Sequence, residues 1–195
     1  MSISFVMGKD LQAQKKQVRS RVKSLLKRLP PEENERRSRN VVQRLLSLEV
    51  YKKAKNVLFY ASLSDEVDTF LLMRQELGHK GIYLPRICQD RLDIYEIKDL
   101  EKDLEKSTFE IKEPLFSCRK ANSSELDVVL VPGVAFDRFR NRLGRGKGYY
   151  DKFLRNLPSR ITRIGLCFSF QVLNNLPHGP RDWKVDILVT DKEII

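Results

Sequence analysis

Asp127-Val128-Val129-Leu130-Val131-Pro132-Gly133-Val134-Ala135-Phe136 is nearly continuously apolar and ends at Pro-Gly. A strand with one wet face alternates apolar and polar residues; a run without alternation predicts a strand covered on both faces, as in a parallel sheet flanked by helices. This stretch is expected at the sheet centre. Toward the N-terminus, Ile82-Tyr83-Leu84-Pro85-Arg86 and Asn56-Val57-Leu58-Phe59-Tyr60-Ala61 are further short runs of β-formers. Between them lie a polar turn over 62–68 and an apolar helix over 69–77, bracketed at its exit by Gly78 and Gly81. Strand, helix and strand in that order predict a parallel pair. A hairpin-like patch follows at 92–97. Toward the C-terminus a basic, Gly-rich loop leads into a helix from about Gly148, then an apolar strand over 161–170 and a last strand over 184–189.

The chain opens on a different pattern. From 11 to 29, Val18, Val22, Leu25, Leu26 and Leu29 recur at helical spacing, and Lys15, Lys16, Arg19, Arg21, Lys23, Lys27 and Arg28 fill the other faces. Pro30 and Pro31 stop this helix, and Glu32 and Glu33 suit the first turn of a second whose buried stripe is Val41, Val42, Leu45 and Leu46. No repeat, linker or low-complexity tract interrupts the 195 residues. The expected architecture is a single three-layer α/β/α domain over 1–195, with a mostly parallel, Rossmann-like sheet and a basic N-terminal helix.

Composition narrows the function. With 41% hydrophobic residues there is enough material for a core, which excludes disordered and collagen-like classes. No apolar run reaches the roughly 20 residues needed to cross a bilayer, and the opening residues 1–7 lack the charged start and cleavage site of a leader, so a cytoplasmic protein is expected. The net charge of +11 implies an anionic ligand without choosing among nucleic acid, membrane and small polyanion. Cys88, Cys118 and Cys167 are far apart and form no CxxC pair, and buried reduced thiols are the expectation. His79 and His178 read as exposed, at a helix end and in a loop.

Asn141-Arg142-Leu143-Gly144-Arg145-Gly146-Lys147-Gly148-Tyr149-Tyr150-Asp151 follows the buried run and leads into a helix. Ligands of open α/β sheets collect beyond the carboxyl ends of the strands, and a helix N-terminus offers free amides to phosphate. Alternating glycines let the backbone approach such a ligand, while Arg142, Arg145 and Lys147 add positive charge. An anion cradle is expected. It is not a Walker A loop, because Gly148 stands where Ser or Thr is required, and it is not GxGxxG. A solvated basic turn and an RG-type nucleic-acid loop remain open readings. Asp151 in the helix and Asp186 in the last strand are candidate Mg²⁺ ligands, since magnesium on phosphates needs only one or two carboxylates; each could equally be a capping or ion-paired residue. No nucleophile is evident, as HExxH, GxSxG and Cys-His arrangements are missing.

The eleven residues 141–151 resemble the signature of the 5-formyltetrahydrofolate cyclo-ligase family. The resemblance extends along almost the whole chain, through Lys15 with Arg19, the Ser-Asp-Glu-Val-Asp turn at 64–68, Leu-Pro-Arg at 84–86, Ile-Lys-Glu-Pro at 111–114, Val-Pro-Gly at 131–133 and Lys-Val-Asp at 184–186. It implies MgATP-dependent conversion of 5-formyltetrahydrofolate to 5,10-methenyltetrahydrofolate with release of ADP and phosphate. By position it further implies that Lys15, Arg19, Arg142, Leu143, Gly144, Arg145, Gly146, Lys147, Gly148, Tyr149 and Tyr150 hold ATP. Ala61, Glu66, Arg145, Gly146, Lys147, Gly148 and Tyr149 would contact the folate. Lys147 and Arg145 would act on the transferred phosphoryl group, and Asp151 and Asp186 would hold Mg²⁺. We add the expectation that Tyr149 and Tyr150 wall the flat pteridine. Only spacing to Arg19 separates Lys15 from Lys16. The surplus charge then serves ATP and folate, with or without a polyglutamate tail, and a monomer with no nucleic-acid or membrane partner is expected.

Two other readings make different demands. A basic RNA-binding module using the first helix and the Gly-rich loop requires tight, sequence-sensitive binding that survives physiological salt. An ATP-dependent ligase or kinase with another acceptor requires phosphate contacts without the folate positions.

Overall fold

The basic periodicity at the start of the chain becomes α1 (Ile3–Lys27), and Pro31 at the first turn starts α2 (Pro31–Ser47), followed by a short α3 (Glu49–Lys53). The computed structural model describes residues 3–106 and 111–195, with side chains from residue 10 onward; residues 1 and 2 of the opening stretch read for a leader lie outside it. Next come β1 (Asn56–Leu58), α4 (Phe70–Glu76), β2 (Gly81–Cys88) and β3 (Arg91–Ile97). A ribbon of β4 (Leu104–Lys106) and β5 (Lys112–Pro114) precedes β6 (Lys120–Ala121). The second half runs β7 (Val128–Val131), β8 (Ala135–Asp137), β9 (Arg142–Leu143), α5 (Tyr149–Arg155), β10 (Thr162–Leu166), β11 (Val172–Leu173) and β12 (Ile187–Val189).

Seven strands form the main sheet in the order β12-β10-β7-β1-β2-β3-β6. The first five are parallel, and β3 and β6 add an antiparallel margin. Alternation along the strands sorts the core onto two faces. Val57, Val128, Leu130, Ile164 and Val189 pack with Val22 of α1 and Val41 and Leu45 of α2, while Leu58, Val129, Val131 and Leu188 pack with Leu154 of α5. All four residues of β7 are buried, as the unbroken apolar run predicts, although β1 is the middle strand and β7 its neighbour. No helix among the described residues is long and apolar enough to cross a membrane.

Several expectations shift in detail. Pro132-Gly133 ends β7, as the Pro-Gly predicts, but Ala135 to Asp137 beyond it join a second sheet of order β11-β8-β9 that the apolar run does not announce. The strand expected over 161–170 stops at Leu166, and Asp186 sits just before β12 rather than within it. Leu25 is exposed, because the stripe of α1 that meets the core is Val22 and Leu26, with Val18 and Leu29 at its margin. Lys15, placed on a polar face by the periodicity, is buried, while Lys16 beside it is exposed. Only Cys167 is a buried thiol; Cys88 and Cys118 are partly exposed. His79 and His178 are exposed as expected.

The second sheet is fixed by two adjacent residues. The Phe136 ring lies over Gly133 and Gly165, at the ends of β7 and β10: a Cβ on Gly133 would stand 2.6 Å from Phe136 Cζ, and one on Gly165 2.8 Å from Cε1. Asp137, fully buried, accepts from the Phe139 and Asn141 amides (2.9 Å each), Asn141 Nδ2 (2.7 Å) and the Leu176 amide (3.1 Å). These contacts hold the β8–β9 hairpin at the carboxyl end of the sheet, with Arg140 at its tip in the left-handed region (φ 63°). Gly165→Ala is expected to lower stability by about 1–3 kcal/mol, because neither Phe136 nor Leu188 has room to retreat from the added methyl. Chemical denaturation checks this; an unchanged midpoint and slope would show that Phe136 is not seated tightly on the glycine.

Candidate active site

The Gly-rich segment divides into a buried half and an exposed half. Arg142 and Leu143 pair with β8 as β9 and are both buried. The chain leaves the sheet only at Gly144, so the accessible loop is 144–148. None of its five backbone N–H groups donates to another described residue. Gly146 (φ 111°) and Gly148 (φ 73°) take left-handed conformations that a side chain would strain, and a Cβ on Gly144 would stand 2.8 Å from Arg142 Nη1. Glycine is thus required here by backbone geometry and by close approach. The helix that follows, α5, has only seven residues, so the anion-binding capacity lies in the loop amides rather than in a helix dipole.

Two distant segments close on this loop. From α1, Arg19 Nε donates to the Gly144 carbonyl at 2.8 Å, and its guanidinium lies against Gly146. One turn earlier, buried Lys15 pairs with Asp182, whose carboxylate also accepts the Gly179 amide. From the turn after β1, Glu66 accepts from Arg145 Nε (3.1 Å) and Nη2 (2.8 Å), and Asp65 takes the far side of the same guanidinium. Glu66 Oε2 also accepts the Leu63 amide (3.1 Å). Burial raises the Glu66 carboxyl above its ordinary range, and Arg145 pulls it back. Ala61, half-buried, packs against the core at the start of this turn.

Beneath the loop the charges are already paired. The Arg142 guanidinium, almost wholly buried, donates to Asp151 Oδ1 at 2.7 Å and to the Pro132 carbonyl at 3.2 Å, while its Nε has no partner. Two positions expected to hold ATP and Mg²⁺ therefore hold each other. The Tyr150 hydroxyl is buried without a partner beside this pair; burial, then the Glu66 charge, raise its pKa, and Arg142 opposes them. Tyr149 instead lines an open cleft with Ile87, Gln89, Asp90 and Arg91. The two tyrosines thus point to different surroundings and do not form one wall.

Asp186 is exposed and accepts the Arg163 amide (2.8 Å) and Arg163 Nη1 (3.4 Å). The Trp183 amide donates to Asp151 Oδ1, which ties the segment carrying Asp186 to α5. No group of three His, Cys, Asp or Glu among the described residues converges as a protein-only metal site. Asp151 and Asp186 each commit one oxygen and leave the other without a partner among those residues. Each thus keeps one carboxylate oxygen of the type a Mg²⁺ ion held chiefly by phosphate oxygens takes as a ligand. Lys147 is exposed and makes no ion pair or hydrogen bond with a described residue, unlike Arg142 and Arg145.

Sequence reasoning missed the counter-charges. Asp65 and Asp182 lie in ordinary polar turns, and Arg163 in a strand, with no spacing signal linking them to Arg145, Lys15 or Asp186. Asp137 stands out in the sequence as the one acid before five basic residues that run to Lys147, but its enclosure by four N–H donors follows only from the fold.

The family model described as the 5-formyltetrahydrofolate cyclo-ligase family matches residues 11–191. A Schizosaccharomyces pombe protein named probable 5-formyltetrahydrofolate cyclo-ligase is 30% identical, over 93% of this chain and 97% of its own. A Haemophilus influenzae 5-formyltetrahydrofolate cyclo-ligase is likewise 30% identical, over 90% and 97%. The NMR structure of Aquifex aeolicus 5,10-methenyltetrahydrofolate synthetase superposes with a TM-score of 0.84 at 36% identity, covering 92% of this chain and 91% of that one. A Mycoplasma pneumoniae 5,10-methenyltetrahydrofolate synthetase shares the fold, with a TM-score of 0.74 at 22% identity, over 91% and 99%. With a match that spans nearly the whole chain and includes both the Gly-rich loop and the α1 residues against it, the protein belongs to the 5-formyltetrahydrofolate cyclo-ligase family.

Proposed function

We propose that the protein cyclises 5-formyltetrahydrofolate to 5,10-methenyltetrahydrofolate at the expense of ATP, releasing ADP and phosphate. The observation that carries this reading is the loop 144–148, where five successive N–H groups have no acceptor among the described residues and Lys147 has no counter-charge. A formamide oxygen is a poor leaving group. Transfer of the γ-phosphoryl group to it turns it into phosphate; folate nitrogen 10 then attacks the formyl carbon, loses its proton, and the carbon–oxygen bond breaks as phosphate departs. Both steps call for positioning and charge stabilisation rather than a protein nucleophile. The missing nucleophile in the sequence is consistent with this.

The chain's own groups take the following roles in the proposal. The free amides of 144–148 receive phosphate oxygens, Lys147 offsets charge on the phosphoryl group in flight, and Lys15 and Arg19 of α1 flank the triphosphate. Glu66 and Ala61 face the folate, and Arg145, held between Asp65 and Glu66, links the folate side to the phosphate side. Mg²⁺ on Asp151 and Asp186 would draw charge from the phosphate oxygens. The net charge of +11 then serves two polyanionic substrates, with no nucleic acid required.

Purified protein with 5-formyltetrahydrofolate, ATP and Mg²⁺ is expected to form a methenyl chromophore followed by absorbance, and to stop when ATP is omitted or a chelator added. ATP binding without product would leave the phosphate cradle standing and remove the folate assignment. Lys147→Ala is expected to lower turnover by at least about 100-fold with its unfolding midpoint unchanged, since it removes charge from an exposed loop. Near-normal turnover in that variant takes Lys147 out of the reaction. Asp151→Ala is expected to behave differently, losing about 1–3 kcal/mol of stability as well as activity, because it strands the buried Arg142 guanidinium. Equal stability of Asp151→Ala and the parent would show that Arg142 finds another partner.

A further inference from the structure

The segment between β11 and β12 brings one acid, Asp182, against α1. Asp182 and Gly179 close a turn of their own: the Asp182 amide donates to the Gly179 carbonyl (3.0 Å), and the Gly179 amide donates back to Asp182 Oδ2 (2.6 Å). Leu11 of α1 packs on this turn, since a Cβ on Gly179 would stand 3.1 Å from Leu11 Cδ2. The next residue, Trp183, donates its amide to Asp151 Oδ1 at 3.2 Å, so the turn is fixed to α5 as well. Asp182 Oδ2 also accepts from Lys15 Nζ, and the lysine side chain is only 8% exposed. The two partners are not held alike. Asp182 keeps its conformation through backbone bonds that do not involve Lys15, whereas Asp182 is the only acceptor that Lys15 has among the described residues. The acid is therefore the anchor and the lysine the anchored group. An ammonium carries three N–H donors, and one bond to Asp182 leaves two for a ligand.

We infer that Asp182 is a positioning residue for ATP, which holds the Lys15 ammonium one turn before Arg19 on the same face of α1, so that the two cations meet the triphosphate together. The inference rests on the reading above, in which α1 flanks the triphosphate. A free lysine gives up its rotamer freedom when it grips a phosphate; one fixed by a buried ion pair has given it up on folding. The same anchor separates Lys15 from Lys16, which is exposed beside it and has no such partner among the described residues. Removing Asp182 distinguishes three roles by sign. A carboxylate near phosphates repels them, so an acid that merely competed for Lys15 would leave tighter ATP binding behind when neutralised. An acid that served the fold alone would leave ATP binding unchanged. An acid that positions Lys15 leaves it weaker, despite the repulsion relieved.

Calorimetric titration of the full chain with MgATP, in the absence of folate, reads this directly. Asp182→Asn keeps an oxygen for the Gly179 amide and removes only the charge; it is expected to weaken MgATP binding roughly tenfold. Asp182→Ala is expected to weaken it at least as much, while KM for 5-formyltetrahydrofolate stays as in wild type. In a Lys15→Ala background, Asp182→Asn is expected to add nothing, because the group it positions is gone. Unchanged or tighter MgATP binding in Asp182→Asn overturns the inference, as does an equal loss with and without Lys15. Lys15→Ala that binds MgATP as wild type does overturns it too, and leaves the cyclisation reading standing. Because the titrations contain no folate, they decide the role of Asp182 even where turnover fails. A wild type that does not bind MgATP overturns the inference together with the ATP reading.

Discussion

A single carboxylate sealed inside the protein, that of Asp137, sets the position of everything around the candidate site. With four N–H donors and no exposure it ties together the β8–β9 turn, the Asn141 side chain and the segment at Leu176. Phe136 beside it seats the same hairpin on two glycines at the ends of β7 and β10. The Gly-rich loop leaves this hairpin directly, so its place beyond the carboxyl end of the sheet follows from a buried hydrogen-bond cluster and a close-packed ring. Enclosed polar groups of this kind are costly to leave unpaired, which makes the arrangement stiff where the loop begins.

Charge pairing then decides what the site offers a ligand. Arg142 is paired with Asp151, Arg145 with Asp65 and Glu66, and Lys15 with Asp182. Arg145 thereby joins the loop to the turn at 65–66, and Lys15 joins α1 to the segment at 182. Among the described residues, Lys147 and Arg19 have no counter-charge and the loop amides have no acceptor. The net charge of +11 is therefore a poor guide to the site: most of the arginines that made the motif look like an open cationic surface are neutralised locally, and attraction for an anion comes from a few groups that have no partner.

Fold class was legible because local and global signals agree. The unbroken apolar run at 128–131 and the order of strand, helix and strand each report burial on both faces, and the sheet has both. The stop at Pro132-Gly133 is equally local, but the second sheet beyond it is not, because it depends on Phe136 seating on two glycines rather than on local propensity. In the site, the motif 141–151 drew attention to the loop, yet its composition could not show that Arg142 points inward while Lys147 points out. Spacing equally could not reveal that Asp65, Asp137 and Asp182, distant in sequence and chemically ordinary, supply the counter-charges and anchors.

The central claim is that the loop 144–148 is the phosphate cradle, closed from one side by α1. Hydrogen exchange of the full chain with and without MgATP tests it most directly. The account predicts slowed exchange at the amides of 144–149, with α2 and the β4–β5 ribbon unchanged. Protection that falls elsewhere while 144–149 exchange as before would contradict it.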